Sequence, residues 1–202
     1  MLTGGPGAGK TAVLEIVRHA AGPGVVVLPE SASIVFGGGF PRRTSTASRA
    51  AAQRAIFHVQ RELETVATVE DGARVVLCDR GTIDGLAYSP EPAEHFFRGV
   101  GSSQAQELAR YAAVIHLEVP SREQGYRSAG LRVESAEEAA VIDKRIADAW
   151  SPHPRRFFVP STANFIAKAA RVMQLVSDEI ALAEDARRAE SRTDCMPIPP
   201  IR

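Results

Sequence analysis

The strongest constraint on the fold is a glycine-rich octapeptide close to the start of the chain. It has the complete Walker A spacing GxxxxGK[ST] and consists of Gly4, Gly5, Pro6, Gly7, Ala8, Gly9, Lys10 and Thr11. In this pattern the glycines let backbone N–H groups converge on phosphate oxygens, and the following helix presents its positive end to them. Lys10, facing solvent, is predicted to contact the β and γ phosphates, and the Thr11 hydroxyl to coordinate Mg²⁺. The alternative is a glycine-rich turn that matches by chance, but an amphipathic helical pattern follows directly, as phosphate binding requires.

Short apolar runs alternate with helical patterns along the rest of the chain. The runs are residues 25–28, 74–78, 113–117 and 157–159, and the predicted helices are at about 10–21, 45–70, 102–111, 136–149 and 161–188. Continuous apolar strands separated by helices are typical of a parallel sheet covered on both faces. The sequence therefore predicts one α/β domain with the P-loop NTPase fold over residues 1–189, and a disordered tail over 190–202.

The first strand of this fold is unusually short in the sequence. Only Met1, Leu2 and Thr3 precede the glycines, whereas strands usually have roughly five or six residues. Two explanations stay open: the first strand is truncated to a stub, or further residues precede Met1.

Composition narrows the classes of function. Lysine plus arginine (24) balances aspartate plus glutamate (24), so no global field favours nucleic acid or an anionic membrane. The two cysteines, Cys78 and Cys195, have no metal-binding spacing and do not indicate a disulfide framework. No apolar run approaches the roughly 20 residues that cross a bilayer. We therefore expect a cytoplasmic protein with no membrane span and no nucleic-acid partner.

Polar residues directly follow two of the apolar runs. In open parallel sheets, ligands bind outside the carboxyl ends of the strands. Glu30 follows the run 25–28 and could act as a general base toward a substrate hydroxyl; the alternative is an acid at the start of a helix, favoured by the helix dipole. Asp79 and Arg80 follow the run 74–78. Asp79 is a candidate magnesium ligand and Arg80 a candidate substrate ligand; the alternative is a local salt bridge between the two.

Arginines are concentrated between residues 122 and 156, and we expect residues of about 120–156 to act as a lid. Arginines on a closing segment can stabilise the charge that develops during phosphoryl transfer. Arg127 and Arg132 are the candidate catalytic pair, because they lie in a glycine-bearing stretch. Arg155 is a candidate contact for a purine ring. The alternative for each arginine is solvation or pairing with a nearby carboxylate such as Asp143.

These signals together resemble a P-loop AAA-like ATP-binding family that includes the kinase domain of nicotinamide riboside kinases and related nucleotide kinases. The resemblance covers roughly residues 1–185. It rests on the Walker A loop, Pro29-Glu30, Gln60, Cys78-Asp79-Arg80-Gly81, Tyr126, Gly130-Leu131-Arg132, Ile142-Asp143 and His153-Pro154.

The resemblance implies a five-stranded parallel sheet in the order 2-3-1-4-5, with helices on both faces. It implies ATP and Mg²⁺ as cofactors, and Gln60 as the residue that contacts a base or amide of the acceptor, although a surface glutamine is the alternative. The chain departs from the family pattern in its short first strand and in a segment at residues 89–100, which puts the acceptor in doubt.

Two classes of function remain. The first is an ATP-dependent kinase that transfers the γ-phosphoryl group to a small molecule such as a nucleoside, nucleotide or pyridine riboside. The second is a nucleotide-binding switch or ATPase module whose arginines bind an anionic partner. A GTPase is disfavoured because the guanine-reading pattern Asn-Lys-x-Asp is absent. A homodimer stays open in either case.

Overall fold

The computed structural model describes residues 1–20, 22–120, 135–161 and 164–194, and these form an α/β fold of parallel strands and helices. The strands are β1 (Leu2–Thr3), β2 (Val25–Leu28), β3 (Val75–Cys78), β4 (Val114–Leu117) and β5 (Arg156–Val159). The helices are α1 (Lys10–Ala20), α2 (Ser31–Gly37), α3 (Thr46–Val69), α4 (Gly85–Tyr88), α5 (Ala93–Val100), α6 (Gln104–Ala109), α7 (Ala136–Ala149) and α8 (Phe165–Asp194). The predicted fold class is confirmed.

The prediction of one continuous five-stranded sheet is wrong. The strands form a three-stranded sheet, β1-β4-β5, and a separate pair, β2-β3, all with parallel neighbours. A single parallel bridge between Leu2 and Asp79 joins the two groups, supported by a 2.9 Å hydrogen bond from the Arg80 amide to the Leu2 carbonyl. The two residues of β1 thus pair fully with β4, but on the other side Leu2 pairs only with Asp79, the residue after β3.

Two apolar clusters cover opposite sides of the strands. One joins β1 and β4 to α1 and α8, with Leu2, Val13, Ile115 and Val172 buried in it. The other joins β3 and β4 to α3, α4 and α7. This layering fixes the carboxyl ends of the strands between two groups of helices, and the glycine-rich loop follows β1 at that edge.

The segment 89–100, in which the chain departs from the family pattern, packs against α3. Most of it is α5, an amphipathic helix whose buried residues are Phe96, Phe97 and Val100. The Phe96 ring packs edge-on against Phe57 of α3, with ring centroids 6.0 Å apart. The aromatic contacts of α5 therefore help to hold α3 in position.

The structure describes only parts of the expected lid and of the expected tail, both of which stay predictions. Residues 136–156 comprise α7 and the start of β5, and Ala139, Ile146 and Trp150 are fully buried in the core. This part of the expected lid is a fixed element of the fold, whereas residues 121–134 lie outside the described residues. Helix α8 continues to Asp194, past the expected start of the tail at 190, and residues 195–202 lie outside the description. Among the described helices, none combines the length and apolar character needed to cross a membrane.

Candidate active site

The loop between β1 and α1 adopts a backbone that only glycine tolerates at its first position. Gly4 has a φ of 131°, and a Cβ atom there would lie 2.1 Å from the Leu117 carbonyl oxygen. Gly7 and Gly9 also have positive φ values, of 87° and 88°. The glycines of the motif therefore permit the close approach of the loop to β4 and the sharp turn into α1.

Lys10 folds back over the loop that precedes it. Its ammonium group donates to the carbonyl oxygens of Gly4 at 2.8 Å and Gly5 at 3.1 Å. The side chain is 6 % exposed, in contrast to the solvent-facing side chain expected from the sequence. Burial, and then the nearby charge of Arg80, lower the pKa of Lys10 to about 8.

We expect nucleotide affinity to fall as the pH rises through the pKa of Lys10. Only the protonated ammonium attracts phosphate, so affinity is full below about pH 8 and falls by roughly tenfold per pH unit above it. Calorimetric titration with ATP at a series of pH values measures this slope. In a Lys10→Arg variant the decline should disappear, because a guanidinium stays protonated. A wild-type affinity that stays constant from about pH 7 to about pH 10 would contradict the prediction.

Thr11 and Asp79 meet beside the glycine-rich loop. The Thr11 hydroxyl donates to Asp79 Oδ2 at 2.8 Å. The other carboxylate oxygen of Asp79 is buried and has no hydrogen-bond partner among the described residues. Burial raises the pKa of Asp79, which the charges of Lys10 and Arg80 oppose. A buried carboxylate oxygen without a donor beside a threonine hydroxyl fits a divalent cation.

The described residues contain no group of three or more acidic, histidine or cysteine side chains that could hold a metal by themselves. Magnesium commonly binds through one or two protein ligands together with nucleotide phosphates and water. Thr11 and Asp79 suit that mode of binding, in which the nucleotide completes the coordination.

Arg80 and Glu30 form an ion pair across the ends of β2 and β3. Arg80 Nε donates to Glu30 Oε1 at 2.6 Å, and the Ser33 hydroxyl donates to Glu30 Oε2 at 2.8 Å. Burial alone would raise the pKa of Glu30, but the charge and hydrogen bond of Arg80, with help from Ser33 and Lys10, lower it to about 2. Glu30 directly precedes α2, and its side chain makes no capping bond to the helix backbone. Arg80 pairs with Glu30 rather than with its neighbour Asp79.

Arg80 is also tied to the glycine-rich loop and to the core. It is the only residue other than glycine with a positive φ, 76°, in the described part of the chain. Its Nη1 nitrogen donates to the Gly4 carbonyl at 3.1 Å and to Asp84 at 3.3 Å. Asp84 in turn accepts from the Thr3 hydroxyl and, at 2.6 Å, from the Trp150 indole. The Arg80 guanidinium carbon also lies 5.5 Å from the centroid of the Tyr88 ring.

These groups share one cleft of about 700 Å³ with the adjoining face of α3. Its walls include Lys10, Thr11, Glu30, Gln60, Asp79 and Arg80. These six residues were all singled out in the sequence, and the structure brings them to one cleft. The volume lies within the range of small-molecule sites.

Asp143 belongs to the Ile142-Asp143 pair of the family resemblance and was otherwise expected only as a partner for arginines. Its Oδ1 accepts from the Gly5 amide at 2.6 Å and contacts His116 Nε2 at 3.0 Å, while Oδ2 accepts from the Val119 amide at 3.2 Å. Burial opposes ionisation, but these contacts, led by His116, lower the pKa of Asp143. Asp143 thereby fixes the glycine-rich loop to α7 and to the end of β4.

We expect Asp143→Asn to weaken nucleotide binding as well as the fold. The amide keeps one acceptor but turns a donor toward one of the two backbone N–H groups, at a cost of roughly 1–3 kcal/mol. Thermal unfolding and calorimetric titration with ATP measure the two effects. Asp148→Asn, which removes an exposed partner of Lys144, is the matched control. Reduced stability with unaltered ATP affinity would show that Asp143 does not position the loop.

Of the three arginines expected at the site, Arg155 lies away from the cleft, and the other two fall outside the described residues. Arg155 precedes β5, at the edge of the sheet opposite the glycine-rich loop, and forms an exposed ion pair with Glu179 at 2.5 Å. It is not among the residues that line the cleft. Arg127 and Arg132 lie outside the described residues. The arginines of the described cleft are instead Arg42, Arg43, Arg49 and Arg80.

The fold and this site define a P-loop nucleotide-binding protein. A comparison with known families matches residues 1–167 to the family described as an AAA domain, and the chain belongs to that family. The comparison with curated proteins gave no match.

Proposed function

We propose that the protein is a kinase that transfers the γ-phosphoryl group of ATP to a small acceptor such as a nucleoside, nucleotide or pyridine riboside. The observation that carries this proposal is the composition of the cleft. A phosphate-binding loop with Lys10 forms one wall, and the Glu30 carboxylate together with the buried Gln60 amide on α3 forms another. A protein that only binds or hydrolyses ATP has no need of the second wall.

The donor half of the cleft would hold ATP with Mg²⁺. The loop amides, the start of α1 and the Lys10 ammonium would bind the phosphates, and Thr11 and Asp79 would hold the metal. When bound, the magnesium ion would neutralise charge on the β and γ phosphates. Asp143 would keep the Gly5 amide in place, and Arg80 would keep the Gly4 carbonyl and Glu30 in place.

Glu30 would receive the acceptor hydroxyl. At neutral pH its carboxylate is ionised, since its pKa is about 2. Each carboxylate oxygen can accept a second hydrogen bond beside those from Arg80 and Ser33. Glu30 would therefore orient the hydroxyl and take its proton as the phosphoryl group moves, in a reaction where positioning and charge stabilisation supply most of the catalysis.

Gln60 would recognise an N–H group of the acceptor through its side-chain carbonyl oxygen. It is 1 % exposed yet lines the cleft, so it is not the surface glutamine that the sequence left open. Its amide nitrogen donates to Glu64 Oε1 at 2.9 Å, and a carboxylate can only accept, which fixes the orientation of the amide. Its carbonyl oxygen has no partner among the described residues and is available to a base or carboxamide N–H.

A nucleotide-dependent switch is the second candidate. One observation favours it: both oxygens of Glu30 already carry hydrogen bonds, and the low pKa makes Glu30 a weak base in the resting protein. In a switch, the ion pair between Glu30 and Arg80 would be the element that responds to the nucleotide, and no acceptor would be phosphorylated.

A phosphoryl-transfer screen tests the proposal. The full chain is incubated with ATP and Mg²⁺ and with pooled nucleosides, nucleotides, pyridine ribosides and other small alcohols, and phosphorylated products are detected by mass spectrometry. An Asp79→Asn protein supplies the blank, because it retains the loop but lacks the metal carboxylate. We expect a product that depends on the acceptor and is missing from the blank. Binding of ATP without any such product would favour the switch.

A further inference from the structure

We propose that the acceptor carries an anionic group, a phosphate or a carboxylate, that Arg42, Arg43 and Arg49 bind. This inference rests on the proposed function and names the chemical class of the acceptor. The three arginines line the same cleft as Lys10 and Glu30. They lie on the segment that enters α3 and on its first turns.

The acidic residues of the cleft are already engaged elsewhere. Glu30 and Asp84 pair with Arg80, and Asp79 accepts from Thr11. Glu138, the remaining carboxylate that lines the cleft, accepts from the Ser135 amide at the start of α7. None of these carboxylates forms an ion pair with Arg42, Arg43 or Arg49 within the described residues.

By contrast, the three arginines have no carboxylate partner within the described residues. Arg42 lies over the Phe36 ring, with its guanidinium carbon 4.2 Å from the ring centroid, which leaves its in-plane N–H groups free for an anion. Arg49 donates to the Tyr88 carbonyl at 3.0 Å, and Arg43 is exposed. Three guanidinium groups on one wall, beside the positive end of a helix, favour an anionic ligand.

The same face of α3 supplies an independent reason to place a ligand here. Arg49, Ala52, Gln53, Ile56, Phe57 and Gln60 have helical spacing and all line the cleft. Arg49 and Gln60 are separated by about 16 Å along the helix axis. The buried carbonyl oxygen of Gln60, which lacks a donor among the described residues, marks the far end of this face. The acceptor thus has an anionic group toward the start of α3 and an N–H donor toward Gln60.

The alternative use of these arginines is to contact the phosphates of ATP. In that case their removal would lower nucleotide affinity or turnover and would leave acceptor affinity unchanged. If they bind the acceptor, their removal should selectively weaken the binding of anionic acceptors.

The test compares matched neutral and anionic compounds. Each common ribonucleoside is paired with its 5′-monophosphate, and nicotinamide riboside with nicotinic acid riboside. Their affinities are measured calorimetrically on the full chain saturated with Mg²⁺ and a non-hydrolysable ATP analogue, so that the readout does not depend on phosphoryl transfer. We expect the anionic member of at least one pair to bind roughly tenfold to a hundredfold more tightly than its neutral partner.

Variants assign that preference to the arginines. In the double variant Arg42→Gln/Arg43→Gln, the anionic and the neutral compound of that pair should bind with nearly equal affinity. The affinity for the ATP analogue should be unchanged. Arg171→Gln, an exposed position on α8 outside the cleft, should retain the preference for the anionic compound. The proposal is overturned if no anionic compound binds preferentially, or if the preference survives in the double variant. Binding of the anion through these arginines without phosphoryl transfer would uphold this proposal and count against the kinase. Phosphoryl transfer to a neutral acceptor, at a rate that the double variant does not change, would support the kinase and overturn this proposal.

Discussion

Replacement of Lys10 by alanine should reduce ATP affinity by at least roughly a hundredfold, because it removes a charged donor that contacts the phosphates. The fold should survive, since backbone geometry at Gly4, Gly7 and Gly9 and the Asp143 anchor hold the loop. Without Lys10, the Gly4 carbonyl still accepts from Arg80 and the Gly5 carbonyl still accepts from the Ala8 amide. Calorimetric titration with ATP and a thermal unfolding curve measure the two effects.

The matched control for Lys10 is Lys144→Ala, which removes an exposed lysine paired only with Asp148 in the described structure. It should bind ATP like the wild type. If Lys10→Ala retains ATP affinity, the loop does not bind triphosphate in the way its sequence implies. If the variant is unfolded, the lysine serves the fold as well as the ligand, and the affinity is then measured with Lys10→Met, which restores apolar volume.

Replacement of Glu30 by glutamine should lower turnover by roughly a hundredfold to ten-thousandfold and leave ATP affinity nearly unchanged. Glutamine keeps the size of the side chain and can still accept from Arg80 Nε and bond to the Ser33 hydroxyl. The substitution therefore removes mainly the charge and the proton affinity. Turnover is measured with the acceptor found in the screen, and ATP affinity by calorimetry on the same preparation.

The ion pair with Arg80 gives this variant a second, separable effect. Because the pKa of Glu30 is lowered to about 2, its ionisation stabilises the fold above its ordinary pKa, and this contribution disappears as the pH falls toward 2. The stability difference between the wild type and Glu30→Gln should thus be largest at neutral pH and shrink on acidification. Glu15→Gln, in an exposed pair with Arg18, is the control. Unchanged turnover in Glu30→Gln, with only reduced stability, would make Glu30 a purely structural residue.

Much of the candidate site could be predicted because parallel strands end at a common edge. Thr11, Glu30, Asp79 and Arg80 each follow a glycine-rich loop or an apolar run, so the sequence alone placed them together, and the structure brings them into one cleft. Arg155 shows that a residue placed before a strand, rather than after it, does not reach this edge. It precedes a strand, and the start of β5 lies at the opposite edge of the sheet from the loop.

Other features had no local signal. Asp143 contacts Gly5 across 138 positions of sequence, and only the packing of α7 reveals that contact. The arginines at 42, 43 and 49 lie in and after a glycine-rich stretch that resembles a loop, and helix α2, which ends at Gly37, was not predicted. The sequence does show that the first strand is short, but it does not show that β1 pairs with β4 over both residues and with the β3 side through a single bridge.

The most direct test of the kinase proposal is to measure ADP and phosphorylated acceptor together in one time course, with and without the acceptor found in the screen. For a kinase, the acceptor should stimulate ADP formation, and each ADP should be matched by one phosphorylated acceptor. Glu30→Gln should slow the formation of both products to the same extent. The contrary result is ADP formation that is independent of the acceptor, with inorganic phosphate as its only partner product.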